Sequence, residues 1–386
     1  MSRRLCCSLF ACVLGVLIIS CSDSTNPGDD GSLVTVELPD LSVPLLAASD
    51  DRLFTLRGDS ISRALDGRSL NGDVRWTFAV PGCTSGLECF LAVDGSSNLY
   101  FNTTDGLMSR SGSNGALRWT ATSIQAPAIA VGTAGRLFAP GRPFTPVQLM
   151  HAIDAVSGTV TWSSILPPGF DATAVLLDES RSRVYAIGRG GAVSFDTQTG
   201  SIQWITSRNC FAGSDGALAT DGTIYVTCDR DFSSELFSYD PSGNEKWRVS
   251  LGSTTPTMSP LLDAAGTIYV SNRGSVTALN PAGGVVWRKT GLFRNLTHPV
   301  VDLDRNVYIA ASRISSISGR NLFLINNGEI VADRGLLACS GSMLLNEAGR
   351  LYCGEVGLLV YLKTPGNDPD AQWNQVSHDA NRTARR

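Results

Sequence analysis

The chain has 386 residues, 43% hydrophobic and 17% charged, with 39 glycines and a formal net charge of −4. That mixture excludes a disordered chain and a long helical one, and it suits many short strands joined by glycine-rich turns. An acidic balance with no long basic stripe argues against nucleic acid as a partner, and the arginines that end the chain (Arg382, Arg385, Arg386) read as a solvated terminus.

The N-terminus opens with Arg3 and Arg4, followed by an apolar run from Leu5 to Ile19 that is too short for a stop-transfer span. It ends in Ile18-Ile19-Ser20-Cys21, which resembles the lipobox of bacterial lipoproteins. The resemblance implies that residues 1–20 are a signal peptide and that Cys21 is the lipidated (palmitate-bearing) new N-terminus. Each buried methylene contributes about 0.8 kcal/mol, so two or three acyl chains give a stable membrane anchor. The polar, flexible stretch over 21–32 then reads as a tether. Ser22 stands where an aspartate would mark inner-membrane retention, which favours the outer membrane, with the protein facing the periplasm or the cell surface.

From residue 33 to 364 the chain repeats itself. Tryptophans stand at Trp76, Trp119, Trp162, Trp204, Trp247 and Trp287, spaced 40–43 residues apart, each with a glycine four residues before it. A seventh copy has Gly328 but Ala332 in place of the tryptophan. A second marker, an apolar residue followed by an aromatic one, keeps step eight times, from Leu53-Phe54 to Leu351-Tyr352. Each unit reads as four short strands. In Thr255 to Lys289 these are Pro256–Leu262, Thr267–Ser271, Val276–Leu279 and Val285–Lys289, separated by turns rich in Asp, Asn, Pro and Gly. Four-stranded units of this length, too small to bury their own faces, stack radially into a β-propeller.

The eighth unit, with strands expected near Leu337–Leu345, Arg350–Gly354 and Leu358–Lys363, lacks a fourth strand, and Gly31 to Pro39 looks like a fourth strand without a blade. The reading is an all-β, eight-bladed propeller of four-stranded antiparallel blades closed by that N-terminal strand, with seven blades as the alternative. Residues 365–386 form a C-terminal tail.

Six cysteines remain after the leader and Cys21: Cys83, Cys89, Cys210, Cys228, Cys339 and Cys353. Export to an oxidising compartment permits disulfides. Nearest-neighbour pairing follows because Cys210 and Cys228, like Cys339 and Cys353, are expected on the first and second strands of one blade, within disulfide reach. Cys83 and Cys89 flank a short loop.

The unit "strand, Asp/Asn turn, Gly-x-x-x-Trp", clearest in Ala152 to Trp162 and in Phe195 to Trp204, resembles the repeat of quinoprotein-type (PQQ-like) β-propellers. The tail from Trp373 to Thr383 is similar to a terminal motif of exported members. In size, anchor and repeat the chain is also similar to the propeller lipoproteins that accompany the outer-membrane β-barrel assembly machinery. The resemblance implies that the six tryptophans dock each blade on its neighbour. Enzymes of the family hold pyrroloquinoline quinone beneath a disulfide of adjacent cysteines, beside calcium. Here the only adjacent pair, Cys6-Cys7, leaves with the signal, so neither PQQ nor calcium is expected as a cofactor.

The histidines are scattered. His151 reads as a packed strand residue, His298 as a residue facing the central channel, and His378 belongs to the tail motif; no catalytic or metal site is assigned. Asp94, Asp221, Asp263, Asp302 and Asp304 sit in first-to-second-strand turns, where they cap backbone; Asp302 and Asp304 are the best placed for a metal. Function is therefore expected to be non-catalytic: a lipid-anchored, monomeric binding or scaffolding propeller of the cell envelope, engaging protein or envelope-polymer partners through its loops or central funnel. The alternative is a quinone- or metal-dependent periplasmic oxidoreductase.

Overall fold

Short runs with β-branched and aromatic residues between Asx–Gly turns fold as antiparallel hairpins, and this chain repeats them around a ring. The computed structural model describes residues 34–363 apart from 38–44, 50, 59–62, 81–89, 142–146, 209, 211–215, 231–232, 253–257, 273, 291–292, 295–297, 314–319, 338–342, 346–349 and 356–357. Cys21, Cys83, Cys89, Cys339, His378, the tether and the tail motif lie outside the described residues.

Eight antiparallel sheets follow one another along the chain. Blade 4 shows the plan: Asp171–Asp178, Arg183–Arg189, Gly191–Asp196 and Ile202–Ser207 pair in sequence order. The eighth blade is composite. Its strands Met343–Leu345, Arg350–Glu355 and Leu358–Lys363 are completed by the N-terminal strand Val34–Glu37, with Val34 opposite Tyr361 and Glu37 opposite Leu358. Its first strand also meets the first strand of blade 1, Leu45–Ser49. The protein is an eight-bladed β-propeller closed by its own N-terminal strand, which abolishes open sheet edges between first and last blades.

Three boundaries differ most from the sequence reading. The first strand of blade 6, expected over Pro256–Leu262, covers only Leu261–Leu262 among the described residues. Leu337 ends the fourth strand of blade 7, Glu329–Leu337, instead of opening blade 8. Cys210 precedes the first strand of blade 5, Gly216–Leu218, instead of lying on it. The chain must first cross from the rim to the axis, three strand spacings or about 14 Å, and Cys210 lies in sequence between the outer strand of blade 4 and the inner strand of blade 5. Cys210 and Cys228 are nonetheless disulfide-bonded, with Cα atoms 5.3 Å apart and both side chains buried. Cys353, on the second strand of blade 8, is disulfide-bonded too.

Candidate functional site

The seams come first, because they fix where every loop stands. Within six blades the second-strand aromatic, a small residue and the tryptophan lie in one register row: Phe54–Gly67–Trp76, Tyr100–Ser109–Trp119, Phe138–Ala152–Trp162, Tyr185–Ser194–Trp204, Tyr225–Ser238–Trp247 and Tyr269–Ala278–Trp287. The small residue lets the two rings meet across it, with centroids 5.6 Å apart for Tyr185–Trp204 and 6.2 Å for Phe54–Trp76. At Gly67 any Cβ would collide with the Trp76 ring.

Each indole then reaches the next blade. Trp76 donates to the Gly112 carbonyl at 3.0 Å, Trp119 to Ala155 at 3.0 Å, Trp162 to Thr197 at 3.0 Å, Trp204 to Pro241 at 2.9 Å and Trp247 to Pro281 at 2.9 Å. The acceptors all lie in third-to-fourth-strand turns, whose glycines (Gly115, Gly158, Gly200, Gly243, Gly283 and Gly328) pack on the arriving tryptophan. The six repeat tryptophans are thus engaged in blade-to-blade contact.

Strand direction sorts the loops into two faces. First-to-second and third-to-fourth turns share one face; second-to-third turns and blade linkers share the other. The first face carries a recurring turn carboxylate, and several of these are occupied by their own turns. Asp302 accepts from the backbone of Asp304 and Asn306, from the Asn306 side chain and from the Tyr308 hydroxyl at 2.8 Å, and Asp94 caps its own turn in the same way. Asp154 accepts from the backbone and hydroxyl of Ser157, which hold its carboxyl below the usual range. Burial, and the capped Asp94 beside it, push the Tyr100 phenol well up, so such phenols stay neutral donors. Among the described residues no cluster of three or more metal-ligating side chains occurs. The closing strand enters on this face, since Val34 pairs beside the end of the third strand, and Lys363 leaves from it too.

The opposite face carries Arg189 and Arg230 at the ends of second strands. On it lies a cleft of about 620 Å³ where the linker from blade 3 meets blade 4. The linker Pro167-Pro168-Gly169-Phe170 forms one wall, and Arg189, Ile205, Ser207 and Arg208 form the other. Ile205 is 49% exposed on the outer strand of blade 4, and Ile165, on the outer strand of blade 3, is 63% exposed. Arg208 is held in place. It donates to the Tyr239 hydroxyl at 3.0 Å, pairs with Glu245 and lies over the Phe237 ring at 4.8 Å. Arg189 is exposed. The cleft can grip an extended, partly apolar segment bearing a carboxylate. Sequence reading passed over it; the usable signals were the Pro-Pro-Gly linker and the arginines recurring at one hairpin position.

His151 lies on the third strand of blade 3, buried, its Nδ1 2.8 Å from the Ser163 hydroxyl, and burial pulls its pKa down to about 4. It is a neutral packing group. His298 lies just before the short first strand of blade 7, Val300–Val301.

This architecture defines a class: the chain is an eight-bladed β-propeller. Within that class, residues 113–253, the end of blade 2 through blade 5, match a PQQ-like repeat family described as "Outer membrane protein assembly factor BamB". No curated protein matches the sequence. Among solved structures, BamB from Moraxella catarrhalis is 18% identical with a TM-score of 0.58, covering 86% of this chain and 98% of that one. The Dos1 propeller is 10% identical with a TM-score of 0.60, covering 86% and 94%. Streptogramin B lyase is 11% identical with a TM-score of 0.50, covering 85% and 97%. These likenesses concern the fold.

Proposed function

We propose that the protein is a non-catalytic scaffold of the cell envelope, anchored through Cys21 to the outer membrane, that engages a protein partner through its arginine-bearing face. The observation that carries this reading is a coincidence of place. The stretch similar to the outer-membrane assembly factor, residues 113–253, contains the whole cleft from Pro167 to Arg208. Propellers hold rigid loops on two flat faces, and a rigid loop surface costs little conformational entropy on binding. The closing strand enters on the face of the capped turn carboxylates, so the cleft points away from the attachment point. The Pro167–Phe170 wall supplies apolar area, and the exposed Arg189 supplies charge-assisted hydrogen bonding.

The test is in-cell crosslinking from a photoreactive residue at position 205, followed by mass spectrometry, in native protein and in Arg189→Glu. A defined envelope protein crosslinked by the native chain and lost at least tenfold in Arg189→Glu supports the reading. Equal capture by both, or no crosslinked protein at all, overturns it.

A further inference from the structure

Three of the third-to-fourth-strand turns carry Asn-Gly, the dipeptide most prone to spontaneous deamidation: Asn71-Gly72, Asn114-Gly115 and Asn327-Gly328. A glycine has no side chain to shield its amide nitrogen, which stands one ring closure from the asparagine side-chain carbon. By sequence the three are equivalent. The fold makes them unequal.

At two of the turns both reacting groups are held. Asn71 Oδ1 accepts from Arg350 Nη1 at 2.8 Å, and the Gly72 N–H donates to the Ser69 carbonyl at 2.9 Å. Asn114 Oδ1 accepts from the Ala116 N–H at 3.0 Å, and the Gly115 N–H donates to the Ser111 carbonyl at 2.8 Å. Each side chain must give up a hydrogen bond before it swings onto the glycine nitrogen, and that nitrogen must give up another. Asn327 is held by neither kind of bond. Asn326 pairs directly with Glu329, so Asn327 and Gly328 form the whole turn, with φ of +48° and +80°, as in a type I′ hairpin. The closing bond of such a turn runs between its flanking residues and uses neither the Asn327 side chain nor the Gly328 N–H. Asn327 is exposed, and among the described residues no hydrogen bond engages its side-chain amide or the Gly328 N–H.

We infer that Asn327 is the site at which the folded propeller modifies itself. The Gly328 nitrogen attacks Asn327 Cγ and forms a C–N bond, while the Cγ–Nδ2 bond breaks. Ammonia leaves with the proton that the Gly328 amide gives up. Water then opens the five-membered imide at one carbonyl or the other, giving aspartate, or isoaspartate with the main chain routed through Cβ. The reaction consumes one water and needs no cofactor.

The place gives the change a consequence. Gly328 lies against Trp287, where an added Cβ would be 3.1 Å from Cβ and Cγ of that residue, and Glu329 pairs with Lys289 at 3.1 Å. Both contacts belong to the seam between blades 6 and 7. A main chain lengthened at 327 shifts Gly328 off Trp287, and a new carboxylate two residues from Glu329 competes for Lys289. Modification loosens that seam and leaves the others intact.

The test ages the whole folded chain at mildly alkaline pH and maps aspartate and isoaspartate by peptide mass spectrometry, with isoaspartyl methyltransferase labelling as a second readout. Position 327 converts at least tenfold faster than 71 and 114, and in urea the three rates converge. Hydrogen exchange of Glu329–Leu337 rises in the aged chain while Gly191–Asp196 of blade 4 keeps its rate. Asn327→Gly, which suits the same turn and has no side chain to close the ring, shows no such rise. Equal conversion at the three sites in the folded chain, faster conversion at 71 or 114, or none at 327 overturns the inference. So does conversion at 327 that leaves the exchange of Glu329–Leu337 unaltered.

Discussion

Leu324 stands directly opposite Ala332 in the outer hairpin of blade 7, a large residue facing a small one, where six other blades place Gly, Ser or Ala opposite tryptophan. The pair reverses the order of large and small in the row, with a leucine in place of the indole. The reason lies one blade further on, where no covalent turn exists to accept an indole. Restoring the consensus is therefore expected to harm the protein. Ala332→Trp forces a bulky ring against Leu324 and lowers the urea midpoint, by about 1–3 kcal/mol in stability. Leu324→Ala combined with Ala332→Trp relieves the clash and still falls short of the native protein, because the indole N–H has no turn carbonyl to reach.

The intact seams allow a finer measurement. At the seam between blades 4 and 5, Trp204 donates to Pro241 and packs on Gly243, whose φ is +86° and whose Cβ, if added, would lie 2.7 Å from Cδ2 of the indole. Trp204→Phe keeps an aromatic ring beside Tyr185 and loses one hydrogen bond, so it is expected to cost about 1 kcal/mol. Gly243→Ala adds both a left-handed backbone strain and a collision, and is expected to cost about 2 kcal/mol. In the double variant the costs sum to less than the two singles, because the smaller ring leaves room for the methyl. Denaturant unfolding of the four proteins closes that cycle, and strict additivity would mean that ring and glycine do not touch.

Much of this was legible in the sequence because the repeat spacing reports on local chemistry. Gly200 and Trp204 sit on one hairpin, so their four-residue spacing is visible without knowing the fold, and the unpaired Gly31–Pro39 stretch matches the strand missing from blade 8. What remained hidden depends on register between blades. Tyr352 resembles the other second-strand tyrosines, and only the fold shows its hydroxyl at Leu70 instead of a turn aspartate. The cleft was hidden for a related reason: Pro167, Arg189 and the Ile205–Arg208 stretch belong to three separate segments that meet only when blade 4 folds onto the linker entering it.

The Cys210–Cys228 disulfide ties the linker entering blade 5 to that blade's second strand, the two cysteines standing 18 positions apart in sequence. Closing a loop of that size removes unfolded-chain entropy of about 3 kcal/mol. Replacing both cysteines by alanine in the otherwise native chain is expected to lower the unfolding free energy by about 2–4 kcal/mol, with the propeller intact by circular dichroism. An unchanged midpoint would show that the bond locks geometry already fixed by blade packing.

His151 gives the fold a defined acid sensitivity. Burial lowers its pKa to about 4 in the folded chain, with Nδ1 against the Ser163 hydroxyl, whereas an unfolded histidine titrates near 6.5. Between those values the unfolded chain binds the proton and the folded chain does not, so acidification favours unfolding. The contribution of the neutral imidazole is whole above about pH 6.5, erodes as pH falls toward 4 and does not change further below that. At about 1.4 kcal/mol per unit the loss reaches at most about 3 kcal/mol. His151→Gln keeps a polar group for Ser163 and removes the titration. Urea midpoints measured from pH 7.5 to 4 should therefore fall less steeply in His151→Gln than in the native protein, and parallel curves would show that the imidazole is protonated in the folded state after all.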